Sequence, residues 1–148
     1  MSNWFYKNEI FLSENIGDKI GFVYVITDLV ENKKYIGKKK FKATKRLPPL
    51  KGKKRKRTVV SESDWKEYFG SSEEVKALVE NTPPERWRRE ILRLCKTTAE
   101  MSYYEMKYQV LNDALLKPEE YYNGFVGGKI HRSHLKHLTD ESAENFII

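Results

Sequence analysis

The feature that most constrains this chain is a basic run over residues 38–57, which holds twelve lysines and arginines and no acidic residue. The Pro48-Pro49 pair and Gly52 within it rule out a continuous helix. Like charges at this density repel one another, so we expect an exposed basic loop that binds phosphate groups. A solvated charge run without a partner is the alternative interpretation. Of the 28 basic residues, 12 lie in the run, which leaves 16 against the 21 acidic residues, so the excess positive charge is local.

Length and composition indicate a single intracellular domain. The chain has 148 residues, of which 39% are hydrophobic, enough for one core but cramped for two. Cys95 is the single cysteine, so no internal disulfide can form and a reducing compartment such as the cytoplasm is expected. There is no apolar run of membrane-spanning length, and the first ten residues do not resemble a signal peptide. Glycine-rich phosphate loops, a nucleophile elbow and the cysteine pairs of a zinc finger are also absent from the sequence.

Two short strands are predicted before and at the start of the basic run. Residues 22–26 are all β-branched or aromatic, and Tyr35-Ile36-Gly37 forms a second apolar segment after a polar turn. A four-residue loop over residues 29–32 would place Tyr35 opposite Ile26. Tyr24 and Tyr35 would then be diagonal neighbours on one face, roughly 7–8 Å apart. A loop one residue longer or shorter would put the two rings on opposite faces.

The second half of the chain predicts helices around a third strand. Ser63 and Gly70 would bound a short helix, Ser71 or Ser72 would cap a helix over residues 73–80, and residues 87–95 would form the strand. Thr97 or Thr98 would cap the longest helix, about residues 99–116. Its predicted core stripe consists of Met101, Tyr104, Tyr108, Leu111 and Leu115.

Glu105 lies about 80° from the centre of that stripe, at the edge of the buried face. A carboxylate at this edge suits a site beside the sheet, although a solvated helix flank is the ordinary interpretation. Gln109, one turn further on, is interpreted as structural. His131, His134 and His137 spread over too wide an arc to face one metal ion, so zinc is not expected there.

This ordered set of residues resembles the GIY-YIG nuclease superfamily. The first motif appears as Phe22-Val23-Tyr24 with Gly21 one residue early, and the second appears intact as Tyr35-Ile36-Gly37. The family's helix glutamate matches Glu105, and its late asparagine matches Asn123. The family's arginine on the first helix has no clean equivalent. Arg46 falls nearest by spacing, and Arg55, Arg57 or one of Lys38, Lys39 and Lys40 could take its place.

The resemblance implies an α/β (α+β) fold: a small three-stranded antiparallel sheet flanked by helices, with a basic loop inserted between the second strand and the next helix. It also implies a divalent-metal-dependent DNA endonuclease that hydrolyses phosphodiester bonds. Glu105 would hold Mg²⁺ (or Mn²⁺). Tyr24 would orient or deprotonate the attacking water with support from Tyr35, Arg46 would contact the scissile phosphate, and Asn123 would position the site or the backbone phosphate. A tyrosine base would need its pKa lowered from about 10.

The expected organisation is a single nuclease-like domain over residues 1–128, with the basic insertion at 38–60, and a tail or short helix over 129–148. Double-stranded DNA is the expected partner, and no interaction with a membrane is expected. A homodimer is one possibility, because a cut through both strands needs two sites or two events. A phage or restriction setting, homing, repair and DNA degradation are not distinguished. The alternatives are a non-catalytic nucleic-acid-binding module on the same fold and a small basic RNA- or ribosome-associated protein. The residues expected to bind nucleic acid are Lys38, Lys39, Lys40, Lys45, Lys53, Lys54, Arg55, Lys56, Arg57, Lys129 and Arg132.

Overall fold

The computed structural model describes residues 2–138 and 144–148. The strands are β1 (Trp4–Tyr6), β2 (Glu9–Phe11), β3 (Gly21–Asp28), β4 (Lys33–Lys40), β5 (Lys42–Leu47), β6 (Arg57–Glu62) and β7 (Trp87–Cys95), and the helices are α1 (Glu73–Glu80) and α2 (Thr98–Leu111). Among these helices, none is long and apolar enough to cross a membrane.

The central hairpin has the predicted loop and register. β3 and β4 are antiparallel, Leu29 to Asn32 connect them, and Tyr35 pairs with Ile26. Tyr24 and Tyr35 therefore share one face, with their ring centroids 6.4 Å apart. The loop length fixes this outcome, since a slip of one residue would put the two rings on opposite faces.

The main sheet is larger than predicted and is not purely antiparallel. Its five strands run in the order β2-β1-β7-β3-β4, and β1 pairs with β7 in parallel. The prediction of three antiparallel strands holds for the pairs β3–β4 and β3–β7. The additional hairpin of β1 and β2 attaches because Trp4, which is 2% exposed, packs into the core and its indole nitrogen donates to the carbonyl of Trp65 at 2.7 Å.

The basic run forms a ribbon where a loop was predicted. β5 and β6 make six antiparallel pairs, from Lys42 opposite Glu62 to Leu47 opposite Arg57, in a sheet separate from the main one. We call residues 42–62, including the connection at 48–56, the basic ribbon. The two prolines and Gly52 all lie in that connection, so they interrupt a helix without preventing the strands.

The helices begin where the sequence predicts, but three details of the prediction are wrong. Ser72 caps α1 by accepting from the amide of Val75, and Thr97 caps α2. α2 ends at Leu111 rather than near residue 116, because Asp113 has a positive φ of 54°. Residues 63–70 form turns instead of a short helix. Leu111 and Leu115 are exposed and do not extend the buried stripe.

Apolar residues cover both faces of the main sheet. Phe22, Tyr24 and Ile26 pack with Trp4, Phe41 and Trp65 on one face, whereas Val23, Val25 and Ile36 pack under α2 on the other. Near the C-terminus, Arg132–Leu135 form a short 3-10 helix, and Phe146 lies against the rings of Tyr104 and Tyr108. Residues 139–143 of the predicted tail lie outside the described residues.

Candidate active site

The Tyr24 side chain packs over Gly37 in the candidate site. They are paired across β3 and β4, and Tyr24 is 1% exposed. A Cβ on Gly37 would lie 2.3 Å from the Tyr24 hydroxyl oxygen and 2.6 Å from its ring carbon Cζ. The glycine of the second motif therefore leaves the space into which the Tyr24 hydroxyl extends.

The environment of Tyr24 opposes ionisation. Burial raises its pKa well above the ordinary value near 10, and the nearby tyrosines Tyr68 and Tyr35 add to the effect. A general base would need the opposite shift. Tyr24 is thus a neutral, buried hydroxyl, and its predicted role in orienting a water stays a prediction.

Three residues that the sequence analysis did not assign to the site lie next to Tyr24 and Tyr35. Tyr68 packs edge-on against Tyr24, with ring centroids 5.9 Å apart, and burial raises its pKa. The Tyr35 hydroxyl and the Ser71 hydroxyl are 2.9 Å apart. Gly70, at a φ of +92°, lies with its Cβ position 3.2 Å from the Tyr35 ring. The sequence signal was a glycine directly after two aromatic residues, which was interpreted as a helix end.

Glu105 extends from α2 beside the outer edge of β4. Its side chain is 18% exposed and its carboxylate lies 4.0 Å from the ammonium of Lys38. Lys38 also donates to the Ser102 hydroxyl at 2.7 Å. Burial raises the pKa of Glu105 and the charge of Lys38 opposes this. Within the described residues, Lys38 is the charged partner that the structure gives this carboxylate.

Asn123 and Gln109 both bind the backbone of Ile36 on β4. The Asn123 side chain accepts from the Ile36 amide at 3.0 Å and donates to its carbonyl at 2.8 Å. Gln109 donates to the same carbonyl at 3.0 Å, while its own side-chain oxygen is buried without a hydrogen-bond partner in the described part of the chain. Because both polar atoms of Asn123 are used on the backbone, its contribution here is to hold the edge strand in place.

A buried ion pair fixes the loop that presents Asn123. Arg86 donates to both carboxylate oxygens of Asp28, at 2.8 and 2.7 Å, and the Tyr122 hydroxyl donates to Asp28 at 2.7 Å. Burial alone would raise the pKa of Asp28, but these hydrogen bonds outweigh it and lower the pKa to about 2. Burial, followed by the hydrogen bond and the charge of Asp28, raises the pKa of Tyr122 to about 12, and Arg86 opposes this rise.

These groups surround one open cavity of about 460 Å³. Tyr35 and Glu105 lie on it together with Asn123, so the structure brings three of the five predicted site residues to one cavity. Tyr24 lies directly behind Tyr35. The full lining consists of Tyr35, Ser71, Ser72, Glu73, Glu105, Gln109, Tyr122, Asn123, Gly124, Phe125 and Gly127.

Arg46 is not part of this lining. It lies exposed on β5, opposite Thr58, and its role at the scissile phosphate stays a prediction. Cations on β4 lie beside the site residues, and Lys38 is 4.0 Å from Glu105. Lys39 lies 4.2 Å above the Tyr68 ring and 2.6 Å from Asp64.

The other residues predicted to bind nucleic acid lie on the surface. Lys40 ends β4, Lys45 and Arg57 lie on the two strands of the basic ribbon, and Lys129 and Arg132 follow the cavity loop. Lys53, Lys54, Arg55 and Lys56 lie in the connection of the ribbon. In the described residues there is no group of three or more histidine, cysteine or acidic side chains that could hold a metal ion.

The chain belongs to the GIY-YIG nuclease superfamily, because a model of one family in that superfamily matches residues 4–126. The matching family is described as "Putative endonuclease segE, GIY-YIG domain". Membership of a nuclease family implies a nucleic-acid substrate. No curated protein and no solved structure shows significant similarity to the chain.

Proposed function

We propose that this protein is a divalent-metal-dependent DNA endonuclease whose active site is the cavity between β4 and α2. The observation that supports it most is that Tyr35 and Glu105, from elements distant in sequence, line the same cavity, with Tyr24 packed behind Tyr35. These residue types can orient a nucleophile and bind a cation. The family match supplies the nuclease class.

The donor set suits Mg²⁺ or Mn²⁺ better than a metal that needs several protein ligands. Glu105 is a half-buried carboxylate whose charge is opposed by Lys38 at a distance beyond a hydrogen bond. Mg²⁺ commonly binds one or two carboxylates and keeps several waters, and a cavity of about 460 Å³ has room for them. When bound, the ion would stabilise negative charge on the phosphate and on the leaving oxygen.

The tyrosines would position the reacting groups. Tyr35 reaches the cavity and its hydroxyl pairs with Ser71, while Tyr24 is held neutral by burial. We assign to them the orientation of the attacking water by hydrogen bonds. Proton removal by Tyr24 would require a charge that the protein alone does not provide, since its pKa is raised.

Lys38 and Lys39 are our candidates for the cation that binds the scissile phosphate. Both lie on β4 within two residues of Gly37, Lys38 toward Glu105 and Lys39 toward Tyr68. A lysine supplies a point charge where arginine would bind two phosphate oxygens at once. Removal of either ammonium should therefore lower the cutting rate without abolishing metal binding.

The decisive experiment is plasmid cleavage with Mg²⁺ or Mn²⁺, which separates nicked from linear product. Glu105→Ala and Glu105→Gln should lose metal-dependent cutting, because the first removes the side chain and the second removes its charge. Glu119→Ala, an exposed carboxylate with the same loss of charge, is the matched control and should cut like the wild type. DNA affinity measured in EDTA should be nearly equal in all four proteins. Normal cutting by Glu105→Gln would show that the site is assigned wrongly.

A non-catalytic nucleic-acid-binding module is the second candidate. It is favoured by the absence of arginine from the described residues that line the cavity and by the neutral state of Tyr24. In that case the wild type would bind DNA but would give no metal-dependent product that Glu105→Gln removes.

A further inference from the structure

The basic ribbon has one face that is fully exposed. Paired residues of antiparallel strands point to the same side of a ribbon, so the pairing assigns its side chains to two faces. One face, which we call the Arg46 face, is exposed at all six of its positions. These are Lys42, Thr44, Arg46, Thr58, Val60 and Glu62.

The opposite face is partly covered. Ala43 and Leu47 on it are half-buried, whereas Val60 on the Arg46 face is 59% exposed. A two-stranded hairpin with one open face is marginally stable in water by itself. A partner on the Arg46 face would provide the packing that the body of the protein does not.

The charge of the ribbon indicates a polyanionic partner. Residues 42–61 contain nine lysines and arginines and no acidic residue. Glu62, the acid at the base of the Arg46 face, accepts from Ser13 at 2.6 Å and from Trp65 at 2.7 Å and lies 3.8 Å from the Lys66 ammonium, so its charge is paired within the protein. The side chains that project from the ribbon are therefore cationic or uncharged.

The dimensions of the ribbon match one groove of a duplex. Two strands lie about 4.8 Å apart before side chains are added, and six residues span roughly 20 Å. The major groove of B-DNA, about 12 Å wide, admits a two-stranded ribbon, whereas the minor groove at about 6 Å does not. The deep and narrow major groove of an RNA duplex excludes it as well.

From this geometry we propose that the basic ribbon enters the DNA major groove with its Arg46 face on the base edges. This rests on the proposed function, which supplies DNA as the substrate. Arg46 would donate to a guanine, and the methyl groups of Thr44, Thr58 and Val60 would contact thymine methyls. The lysines and arginines of residues 51–57 would bind phosphates. Arg46 then serves recognition rather than the scissile phosphate.

The ribbon is joined firmly to the site. Phe41, which is fully buried, separates β4 from β5, and the Ser63 amide donates to the Phe41 carbonyl at 2.7 Å. Arg46 is eleven residues from Tyr35, at most about 36 Å along the strands. The base that Arg46 contacts should therefore lie within about 11 base pairs of the cut, on one side of it.

The test is selection from randomised 30-base-pair duplexes in EDTA, with the wild type, Arg46→Ala and Lys45→Ala. Lys45 is the neighbouring cation on the opposite face, so the two variants lose the same charge. The wild type should enrich guanine at one position, Arg46→Ala should reduce that enrichment by about 5- to 150-fold, and Lys45→Ala should keep it. No enrichment by the wild type, or equal effects of the two variants, overturns the proposal.

Competition identifies the groove independently. Methyl green, which occupies the major groove, should displace the protein, and distamycin, which occupies the minor groove, should not. The reverse result, or equal affinity for an RNA duplex of the same sequence, overturns the proposal. If the wild type binds the groove but shows no cutting that Glu105→Gln removes, the proposed function alone is refuted. Normal cutting with unchanged selection by Arg46→Ala would refute the ribbon proposal alone.

Discussion

The contact between Gly37 and Tyr24 gives the sharpest prediction, for the change Gly37→Ala. The new Cβ would lie 2.3 Å from the Tyr24 hydroxyl and 2.6 Å from Cζ, and the ring behind it is enclosed by Trp4 and Phe22. Overpacking of this kind costs about 1–3 kcal/mol. Alanine is favoured over glycine in a strand by about 0.5–1 kcal/mol, which offsets part of that cost.

The net loss of unfolding free energy should be about 1–2 kcal/mol. For a chain of 148 residues this lowers Tm by about 3–6 °C in thermal unfolding followed by circular dichroism. To relieve the overlap, the Tyr24 hydroxyl must move by about 1 Å, so plasmid cutting should fall by about 100-fold. The loss of activity should exceed what the fraction of unfolded protein explains.

Two further variants test the reasoning. Gly124→Ala is the control for stability, because no heavy atom lies within 4 Å of its Cβ position. Gly37→Ala combined with Tyr24→Phe should regain part of the stability, since the hydroxyl contact is removed but the contact at Cζ remains. A Gly37→Ala protein with the wild-type Tm and cutting rate would show that Tyr24 does not pack over Gly37.

Three other predictions follow from charges. Asp28 has its pKa lowered to about 2, so above pH 4 its ionised form contributes about 2 kcal/mol to the free energy of unfolding, and this contribution is lost as the pH falls toward 2. In urea unfolding, the stability of Asp28→Asn should fall less than that of the wild type over this pH range. An equally steep fall would contradict the ion pair with Arg86. Burial raises the pKa of Tyr24, so the free energy of unfolding of the wild type should fall as the pH rises above 10, and that of Tyr24→Phe should fall less. An identical dependence of stability on pH in the two proteins would count against burial of this hydroxyl. If the basic ribbon makes six or more phosphate contacts, raising the salt concentration from 50 to 200 mM should weaken DNA binding by about 10³-fold. Replacing the five cations at 53–57 by glutamine should weaken binding to all sequences alike. An affinity that does not change with salt would exclude the ribbon as a DNA contact.

The parts of the fold that the sequence predicted are those with a strong local pattern. The loop over residues 29–32 and the parity of the flanking strands determine the register of β3 and β4, and β7 and the caps of both helices are local signals as well. β1 was missed because it has three residues and pairs with β7, more than eighty residues away. Short segments of that kind have no periodicity from which a strand can be inferred.

The basic ribbon was predicted as a loop because its composition hides its pairing. Three of the six residues of β5 and two of the six residues of β6 are charged, and neither strand has a buried face that would produce alternation of polar and apolar residues. Hydrogen bonds between the backbones hold β5 to β6, and Phe41 and Trp65 fix the two strands to the core at the base. The start of the ribbon is thus determined by the buried residues Phe41 and Trp65, whose apolar side chains can be recognised in the sequence.

Strand β4 explains why the site and the ribbon belong together. Alternate residues of this edge strand point to opposite faces, so Tyr35 and Gly37 lie with Tyr24 while Lys38 lies with Glu105. The same strand continues past Phe41 into β5. A duplex held by the ribbon is therefore held at a fixed distance from the residues proposed to cut it, because a buried aromatic ring, rather than a flexible linker, joins the two.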